Sequence, residues 1–192
     1  MADAAAIAAL RDLTPDQQER CAVVLVEAPR HMPSAWLDLA SAREEVGSFL
    51  TGADRRAWAA LGPQGDVLGW IGCIPQHSHA AELHPLVVDP RFQRLGVGTR
   101  LVRHLEAELR RRRVGAVWLG TDDDFGGTNL FGVDLYPEPL RHLPGLAATA
   151  RGHPFTFYRR LGYAVVGVLP DANGPGRHDI LMAKRLSDDA RG

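Results

Sequence analysis

A short segment between a predicted strand and a predicted helix has the spacing of an anion-binding turn. It runs from Gln93 to Gly98 and reads Gln-Arg-Leu-Gly-Val-Gly. Gly96 and Gly98 permit close approach to the backbone, so that successive N–H groups and the helix N-terminus can point at one anion. Arg94 and Arg100 can supply further positive charge. The segment predicts a pyrophosphate site, although two glycines after a strand also fit an ordinary tight turn.

Two polar residues lie two positions apart on the strand before this turn. Glu82 and His84 therefore share one face of that strand. Either side chain could take a proton from an ammonium group, directly or through water. The alternative is a surface ion pair. His77 and His79 lie close upstream, but no second ligand cluster accompanies them and Pro75 suggests a loop, so we predict no metal site.

A tyrosine in an aromatic segment near the C-terminal end of the chain could act as a proton donor. Tyr158 belongs to the run Phe-Tyr-Arg-Arg-Leu-Gly-Tyr that ends at Tyr163. A phenol can donate a proton or a hydrogen bond to a departing anion such as a thiolate. The alternative is a core tyrosine packed beside Phe155 and Phe157.

Residues 119–139 carry five acidic side chains and no lysine or arginine. These are Asp122, Asp123, Asp124, Asp134 and Glu138. Such charges repel one another unless they are solvated or meet a cation. The stretch predicts a site for a cationic, polyamine-like ligand, against the alternative of a solvated acidic loop, and it does not suit an acidic substrate.

The elements that must position these residues follow from periodicity and from turn signals. The order is one strand, two helices, three strands, a helix, a strand, a helix and two strands. Predicted strands cover 7–13, 56–61, 67–74, 83–89, 116–120, 163–169 and 179–186, and predicted helices cover 15–28, 33 or 34 to 50, 98–113 and 153–161. This order predicts a mixed α/β (α+β) fold with a mainly antiparallel sheet of six to seven strands, flanking helices and a central βαβ crossover. We expect residues 1–192 to form a single domain.

Composition and net charge indicate which classes of partner the chain is expected to bind. The chain has 192 residues and a formal net charge of −1, so no basic field favours nucleic acid. The basic run 110–113 fits a solvated helix C-terminus. The start of the chain lacks a basic leader, no apolar run is long enough for a membrane span, and only two cysteines occur. We therefore expect a cytoplasmic protein with neither a membrane nor a nucleic-acid partner.

Two of these motifs resemble those of the GNAT acetyltransferases. Gln93-x-x-Gly96-x-Gly98 is similar to the family pattern Q/R-x-x-G-x-G/A, and the segment from Phe157 to Tyr163 is similar to F-Y-x-x-x-G-F/Y. The resemblance implies the GNAT acyltransferase fold, acetyl-CoA as cosubstrate, Tyr158 as proton donor to the thiolate, and a homodimer. It also implies a set of coenzyme-binding residues: Leu86, Val88, Gln93, Arg94, Leu95, Gly96, Val97, Gly98, Thr99 and Tyr158.

Further segments resemble the aminoglycoside 6′-N-acetyltransferases within that family. They are residues 82–88, 119–123, 128–130, 134–136, 153–155, 167–174 and 179–184. This resemblance implies transfer of an acetyl group to a 6′-amine, and with it antibiotic resistance. Glu82 would handle the amine and the Leu86 N–H would serve the carbonyl oxygen. The implied acceptor-binding residues are Trp36, Glu82, His84, Asp122, Asp123, Asp124 and Asp134.

Some points stay open at the level of sequence. Some relatives carry an acid near the position of Phe125, for which Asp124 is the nearest substitute. Trp36 could equally pack in the core. The acceptor could also be a polyamine, a small metabolite or a protein N-terminus. A third possibility is a non-catalytic GNAT-like sensor, which has no use for a proton donor such as Tyr158.

Overall fold

The computed structural model describes residues 6–29 and 36–187. Within them, seven strands and four α-helices follow one another in the predicted order. The strands are β1 (Ala6–Ala9), β2 (Arg56–Leu61), β3 (Val67–His77), β4 (Ala80–Val88), β5 (Ala116–Asp122), β6 (Ala164–Leu169) and β7 (Asp179–Arg185). The helices are α1 (Pro15–Glu27), α2 (Leu39–Thr51), α3 (Val97–Arg111) and α4 (Phe155–Arg160). The predicted mixed α/β fold is confirmed, with β4–α3–β5 in the place of the predicted crossover.

Contacts between Cα atoms group the chain into two compact units, and the prediction of a single domain stays a prediction. Among the described residues, the first unit holds 6–29, 36–117 and 186–187, and the second holds 118–185. In the first unit the strands follow the order β1-β2-β3-β4, and each neighbouring pair is antiparallel. In the second unit the order is β5-β7-β6, with β6 and β7 antiparallel.

The core of the first unit forms where α1 and α2 cover the sheet. Trp70 of β3 is fully buried, and its indole N–H donates to the Cys21 carbonyl of α1 over 3.0 Å. The ring of Phe49 from α2 meets Trp70 edge-on at 5.7 Å between centroids. Both helices are therefore held by side chains that bury their apolar faces against β3.

Two helix boundaries follow the predicted capping chemistry. Thr14 and Gln17 form the predicted capping box at the start of α1, with hydrogen bonds of 3.3 Å and 3.0 Å. Gly162 ends α4 at φ 88°, and the Tyr163 N–H donates to the Tyr158 carbonyl over 3.1 Å. Glycine suits this left-handed position because it has no Cβ, so Gly162 is the predicted residue after the helix end.

Other boundaries differ from the prediction. β1 stops at Ala9, because a 3₁₀ turn over Leu10–Asp12 buries Leu10. α2 begins at Leu39, where the Asp38 carboxylate accepts from the Ser41 N–H over 2.8 Å; the predicted start at residues 33 or 34 lies outside the described residues. β3 continues through Pro75 to His77, so the loop expected at Pro75 is wrong.

In the part of the chain that the structure describes, no helix combines the length and the apolarity that crossing a membrane requires.

Candidate active site

The central feature of the first unit is a β-bulge in β4. Leu83 pairs with Cys73 and Leu86 with Ile71, so two residues of β4 stand opposite the single residue Gly72. A bulge bends its strand and interrupts regular pairing, and bulges often lie beside active sites. The proposed oxyanion donor, the Leu86 N–H, therefore belongs to the first paired residue after the bulge.

Gly72 is required at this position because of close packing. A Cβ there would lie 2.5 Å from the His84 carbonyl oxygen and 2.7 Å from the ring of Phe49 in α2. No side chain fits into such a gap without displacing the backbone or the ring. Helix α2 is therefore packed directly onto the bulge.

Glu82 and His84 share one face of β4, as predicted. Burial alternates along the strand, with both residues half-buried and Leu83 buried between them. The Glu82 carboxylate accepts from the Gln76 side-chain amide over 2.8 Å. Because Gln76 is exposed, this acid is held at the surface of the strand and is open to an incoming group.

The sequence-predicted residues Trp36 and His84 are neighbours, with ring centroids 5.7 Å apart and planes tilted by 47°. On its other side the His84 Nε2 lies 3.5 Å from the Glu45 carboxylate of α2. The hydrogen bond with His84 holds the pKa of Glu45 below its usual value, and nearby Arg55 adds to this effect against that of burial. Sequence reasoning missed Glu45, which no local motif marks.

The predicted anion-binding turn leads directly from β4 into α3. Arg94 and Gly96 both adopt left-handed backbone conformations, at φ 61° and 87°. No side chain in the described part of the chain caps α3, and its first intrahelical hydrogen bond runs from the Arg100 N–H to the Gly96 carbonyl. The N–H groups of Val97, Gly98 and Thr99 precede that bond and have no intrahelical acceptor. The turn thus offers backbone donors and a helix N-terminus to an anion.

Leu95 and Gln93 of the turn are both exposed, and a ligand could reach them. Leu95 is 71% exposed. The Gln93 side-chain amide donates to the Val88 carbonyl over 3.1 Å, which ties the turn to the end of β4. Gln93 and Val88 therefore hold the turn in place by a contact within the protein.

A buried carboxylate that sequence reasoning passed over anchors the start of the turn. Asp89 is 1% exposed and accepts from Arg91 over 2.7 Å and from Arg20 of α1 over 2.5 Å. The hydrogen bonds from Arg91, followed by those from Arg20, hold the pKa of Asp89 well below its usual range. The strand end is therefore fixed by charge-assisted hydrogen bonds from two arginines to an ionised aspartate.

In the second unit, Tyr158 lies on α4 and is 7% exposed. The rings of Phe157 and Tyr163 meet it edge-on at 5.0 Å and 5.5 Å between centroids. Burial raises the pKa of its hydroxyl. The phenol is therefore protonated at neutral pH, which suits a donor and excludes a role as a base.

The acidic stretch is less uniform than its sequence suggests. Asp123 is fully buried, and its two oxygens accept from the Gly127 N–H over 2.7 Å, the Thr128 N–H over 2.8 Å and the Thr128 hydroxyl over 2.6 Å. These bonds close the loop that follows β5. Asp123 therefore acts as an internal cap for the backbone, a role that the predicted cation-attracting stretch did not include.

The other acids of this stretch have different surroundings. Asp122 is half-buried and accepts from the Asn173 side-chain amide over 2.6 Å. Asp124 is buried, with Arg177 at 3.9 Å. Asp134 is exposed and accepts only from the Tyr136 N–H among the hydrogen bonds of the described residues, over 3.0 Å.

Two buried histidines also shape this loop and were missed from sequence. His153 Nε2 lies 3.1 Å from the Asp122 carbonyl oxygen, and burial lowers the pKa of His153. His178 Nε2 lies 3.1 Å from the carbonyl oxygens of Leu130 and Val133. Isolated histidines carry no sequence signal for such long-range backbone contacts.

His77 and His79 are exposed at the turn between β3 and β4. Across the ranges that the structure describes, no three side chains of the metal-binding types come together.

Comparison with known proteins identifies the family. A model of the acetyltransferase (GNAT) family matches residues 10–131. A search of curated proteins gave no match. Among solved structures, an aminoglycoside 6′-N-acetyltransferase complexed with coenzyme A is 36% identical, and the alignment covers 97% of this chain and 99% of that chain with a TM-score of 0.84.

Two further solved structures of aminoglycoside acetyltransferases are also similar to this chain. The aminoglycoside 6′-N-acetyltransferase from Enterococcus faecium is 36% identical over 97% of this chain and 99% of that chain, with a TM-score of 0.83. An aminoglycoside 6′-acetyltransferase type Ii is 33% identical over 95% of this chain and 97% of that chain, with a TM-score of 0.68. The match to the family model over more than half of the sequence, together with these likenesses, confirms the relationship that the two motifs predict: the chain belongs to the acetyltransferase (GNAT) family.

Proposed function

We propose that this acetyltransferase transfers the acetyl group of acetyl-CoA to the 6′-amine of aminoglycosides, and that it thereby confers resistance to them. The observation that carries the proposal is the 36% identity to a 6′-N-acetyltransferase over almost the full length of both chains. The site residues support it, because the motifs for coenzyme and for proton donation are both present.

The turn after β4 fits the coenzyme. Gly98 and Thr99 offer N–H groups that no side chain caps among the described residues, and the left-handed Gly96 orients the turn. A pyrophosphate accepts such hydrogen bonds at a helix N-terminus. Arg94 and Leu95 are exposed beside it. Bound acetyl-CoA supplies the thioester whose carbonyl carbon the amine attacks.

On β4, Glu82 has the chemistry to prepare the amine. An aminoglycoside amine is largely protonated at neutral pH, and attack requires its lone pair. The Glu82 carboxylate binds the ammonium and takes its proton, directly or through water. The Leu86 N–H, at the first paired residue beyond the bulge, donates to the oxygen on which negative charge develops.

Tyr158 donates the proton that the departing thiolate requires. Its hydroxyl is protonated at neutral pH because burial raises its pKa. No hydrogen bond to another described residue engages this hydroxyl, which leaves its proton available for the sulfur. The phenol thus serves as the general acid of the reaction, and the phenolate regains a proton when the attacking nitrogen loses one to become the amide.

The acceptor is a polycation, and carboxylates attract it. We assign this role to Glu82, to Asp134, which is exposed, and to the half-buried Asp122. Asp124 adds negative charge beside Arg177. Asp123 supports binding by holding the loop, since all three of its hydrogen bonds are internal.

Location and assembly complete the proposal. The two cysteines are buried and unpaired, which fits a reducing compartment such as the cytoplasm. A homodimer is the expected assembly from the family resemblance. The exposed apolar side chains Val166 and Leu169 on β6, the last strand in the order of the second unit, are consistent with an interface. Sedimentation equilibrium measures the assembly directly.

Thiol release from acetyl-CoA tests the function. The purified protein is assayed against aminoglycosides, a polyamine such as spermidine, and short peptides, with calorimetry of coenzyme binding as a control for folding. We expect release with aminoglycosides at a kcat/KM at least about tenfold above that for the other amines. A folded, coenzyme-binding protein that releases thiol only with polyamines or peptides would transfer acetyl groups to another amine, and the aminoglycoside proposal would be wrong.

A further inference from the structure

Helix α2 contacts β4, the strand that carries Glu82 and His84, through one carboxylate. Glu45 extends from α2 to His84, with its Oε1 3.5 Å from Nε2 of the imidazole. The Glu45 side chain is 20% exposed, and the His84 side chain is 37% exposed. Most of the Glu45 side chain is therefore covered by protein, whereas more of the His84 side chain is accessible to solvent.

The relative positions of the two residues are fixed by the packing around them. One helical turn after Glu45, the ring of Phe49 presses against Gly72 and the bulge that contains His84. Arg55 lies 3.4 Å from Glu45 and 5.4 Å from the centre of the Phe49 ring. The carboxylate therefore has little freedom to turn away from the imidazole.

An ionised carboxylate can only accept hydrogen bonds, so the imidazole must present an N–H at Nε2. The neutral ring then has its lone pair at Nδ1. Trp36, at 5.7 Å between ring centroids, restricts the plane of the same ring. Together, Glu45 and Trp36 determine which atom of His84 accepts and how the ring is oriented.

Glu82 lies on the same face of β4, two residues from His84. Their Cα atoms are therefore roughly 7 Å apart, given a rise of about 3.3 Å per residue. A small amine can reach both side chains at this spacing.

We propose that Glu45 is a positioning residue that acts through His84. In the neutral imidazole, the contact with Glu45 at Nε2 keeps Nδ1 of His84 as a hydrogen-bond acceptor for the acceptor amine. The proton leaves the ammonium for the Glu82 carboxylate, and one of the remaining N–H groups of the neutral amine donates to Nδ1, which directs the nitrogen lone pair. This inference rests on the proposed function.

The test compares two neighbouring glutamates. Glu45→Gln removes the charge that holds His84, and Glu44→Gln removes the same charge from an exposed position of the same helix. We expect Glu45→Gln to raise the KM for kanamycin-like acceptors by about tenfold, as expected for the loss of one oriented hydrogen bond. Coenzyme affinity should stay within about twofold of wild type, and Glu44→Gln should match wild type in both.

A double-mutant cycle shows whether Glu45 acts through His84. In a His84→Gln background, Glu45→Gln should change the KM by less than about twofold, because the group that it orients is gone. A tenfold effect that persists in that background would overturn the proposal, since it would make Glu45 a direct or a purely structural contributor.

A spectroscopic readout is independent of activity. The imidazole ¹⁵N resonances of His84, assigned by their absence in His84→Gln, should shift in Glu45→Gln and not in Glu44→Gln. Identical shifts in both variants would show that the carboxylate does not hold the ring, and the proposal would fail. If the wild-type protein acetylates no aminoglycoside, the proposed function fails separately, and the nitrogen shifts still decide whether Glu45 holds His84.

Discussion

Asp123→Asn separates a structural acid from a substrate-binding one. The wild-type carboxylate accepts three hydrogen bonds at a fully buried position, one from the Gly127 N–H and two from Thr128. An asparagine keeps the shape but replaces one acceptor oxygen by an NH₂ group. In its better orientation the amide oxygen faces Thr128, and the Gly127 N–H then meets another donor.

The cost can be worked out from these contacts. A buried donor that loses its acceptor costs about 1–3 kcal/mol, and the facing NH₂ group adds a second unpaired donor. We therefore expect unfolding to become easier by about 3 kcal/mol. For a chain of this size, about 2–4 °C of melting temperature is lost per kcal/mol, which gives a fall of about 6–12 °C.

Differential scanning calorimetry measures this fall, with Asp134→Asn as the matched control. Asp134 is exposed and accepts a single N–H, so its variant should melt within about 2 °C of wild type. If Asp123→Asn melts at the wild-type temperature and only the KM for the acceptor rises, the carboxylate serves the ligand rather than the loop.

Three further predictions concern the coenzyme turn, the general acid and the anchor of the turn. Gly98→Val should weaken acetyl-CoA binding by about tenfold or more in calorimetry, because its side chain blocks the backbone donors, whereas Gly47→Val, in α2 with open space around its Cβ position, should leave binding unchanged. Tyr158→Phe should lower kcat by about 10- to 1000-fold without changing coenzyme affinity, and wild-type turnover under chemistry-limited conditions would make Tyr158 a packing residue. The pKa of Asp89 is depressed in the folded state, so its stabilising effect is complete above the unfolded value of about 3.9 and is lost progressively as the pH falls from there towards the lower folded value. Asp89→Asn should therefore be less stable at pH 7 and lose less stability between pH 7 and pH 3 than wild type in urea unfolding; an equal loss in both proteins would contradict this.

The parts of the site that sequence could predict are those written in local patterns. The turn from Gln93 to Gly98 depends on consecutive residues, and the helix end at Gly162 depends on one glycine directly after a short helical segment. Periodicity likewise gives the order of strands and helices, because burial of one face requires it. The predicted boundaries were less accurate at Leu10, where a 3₁₀ turn replaces the end of the predicted strand. They were also less accurate at Pro75, where the strand continues through the proline.

The remaining features depend on contacts between distant residues. Glu45 meets His84 only after α2 packs on the bulge of β4, and nothing in its neighbours distinguishes it from Glu44. The acidic stretch looked uniform because net charge does not reveal that Asp123 turns inward to cap a loop. Whether an acid meets substrate or backbone is decided by tertiary structure, which the charge pattern alone does not contain.

The 6′-nitrogen of an aminoglycoside is the atom that we expect to receive the acetyl group. The most direct measurement compares two drugs that differ only at that position, one with a 6′-amine and one with a 6′-hydroxyl, by thiol release and by NMR of the product. We predict turnover with the amine alone and a new amide at the 6′-nitrogen, because Glu82 must receive a proton from an ammonium. The 6′-acetylation proposal would be wrong if another nitrogen were acetylated, if both drugs reacted at equal rates, or if a folded, coenzyme-binding protein released no thiol.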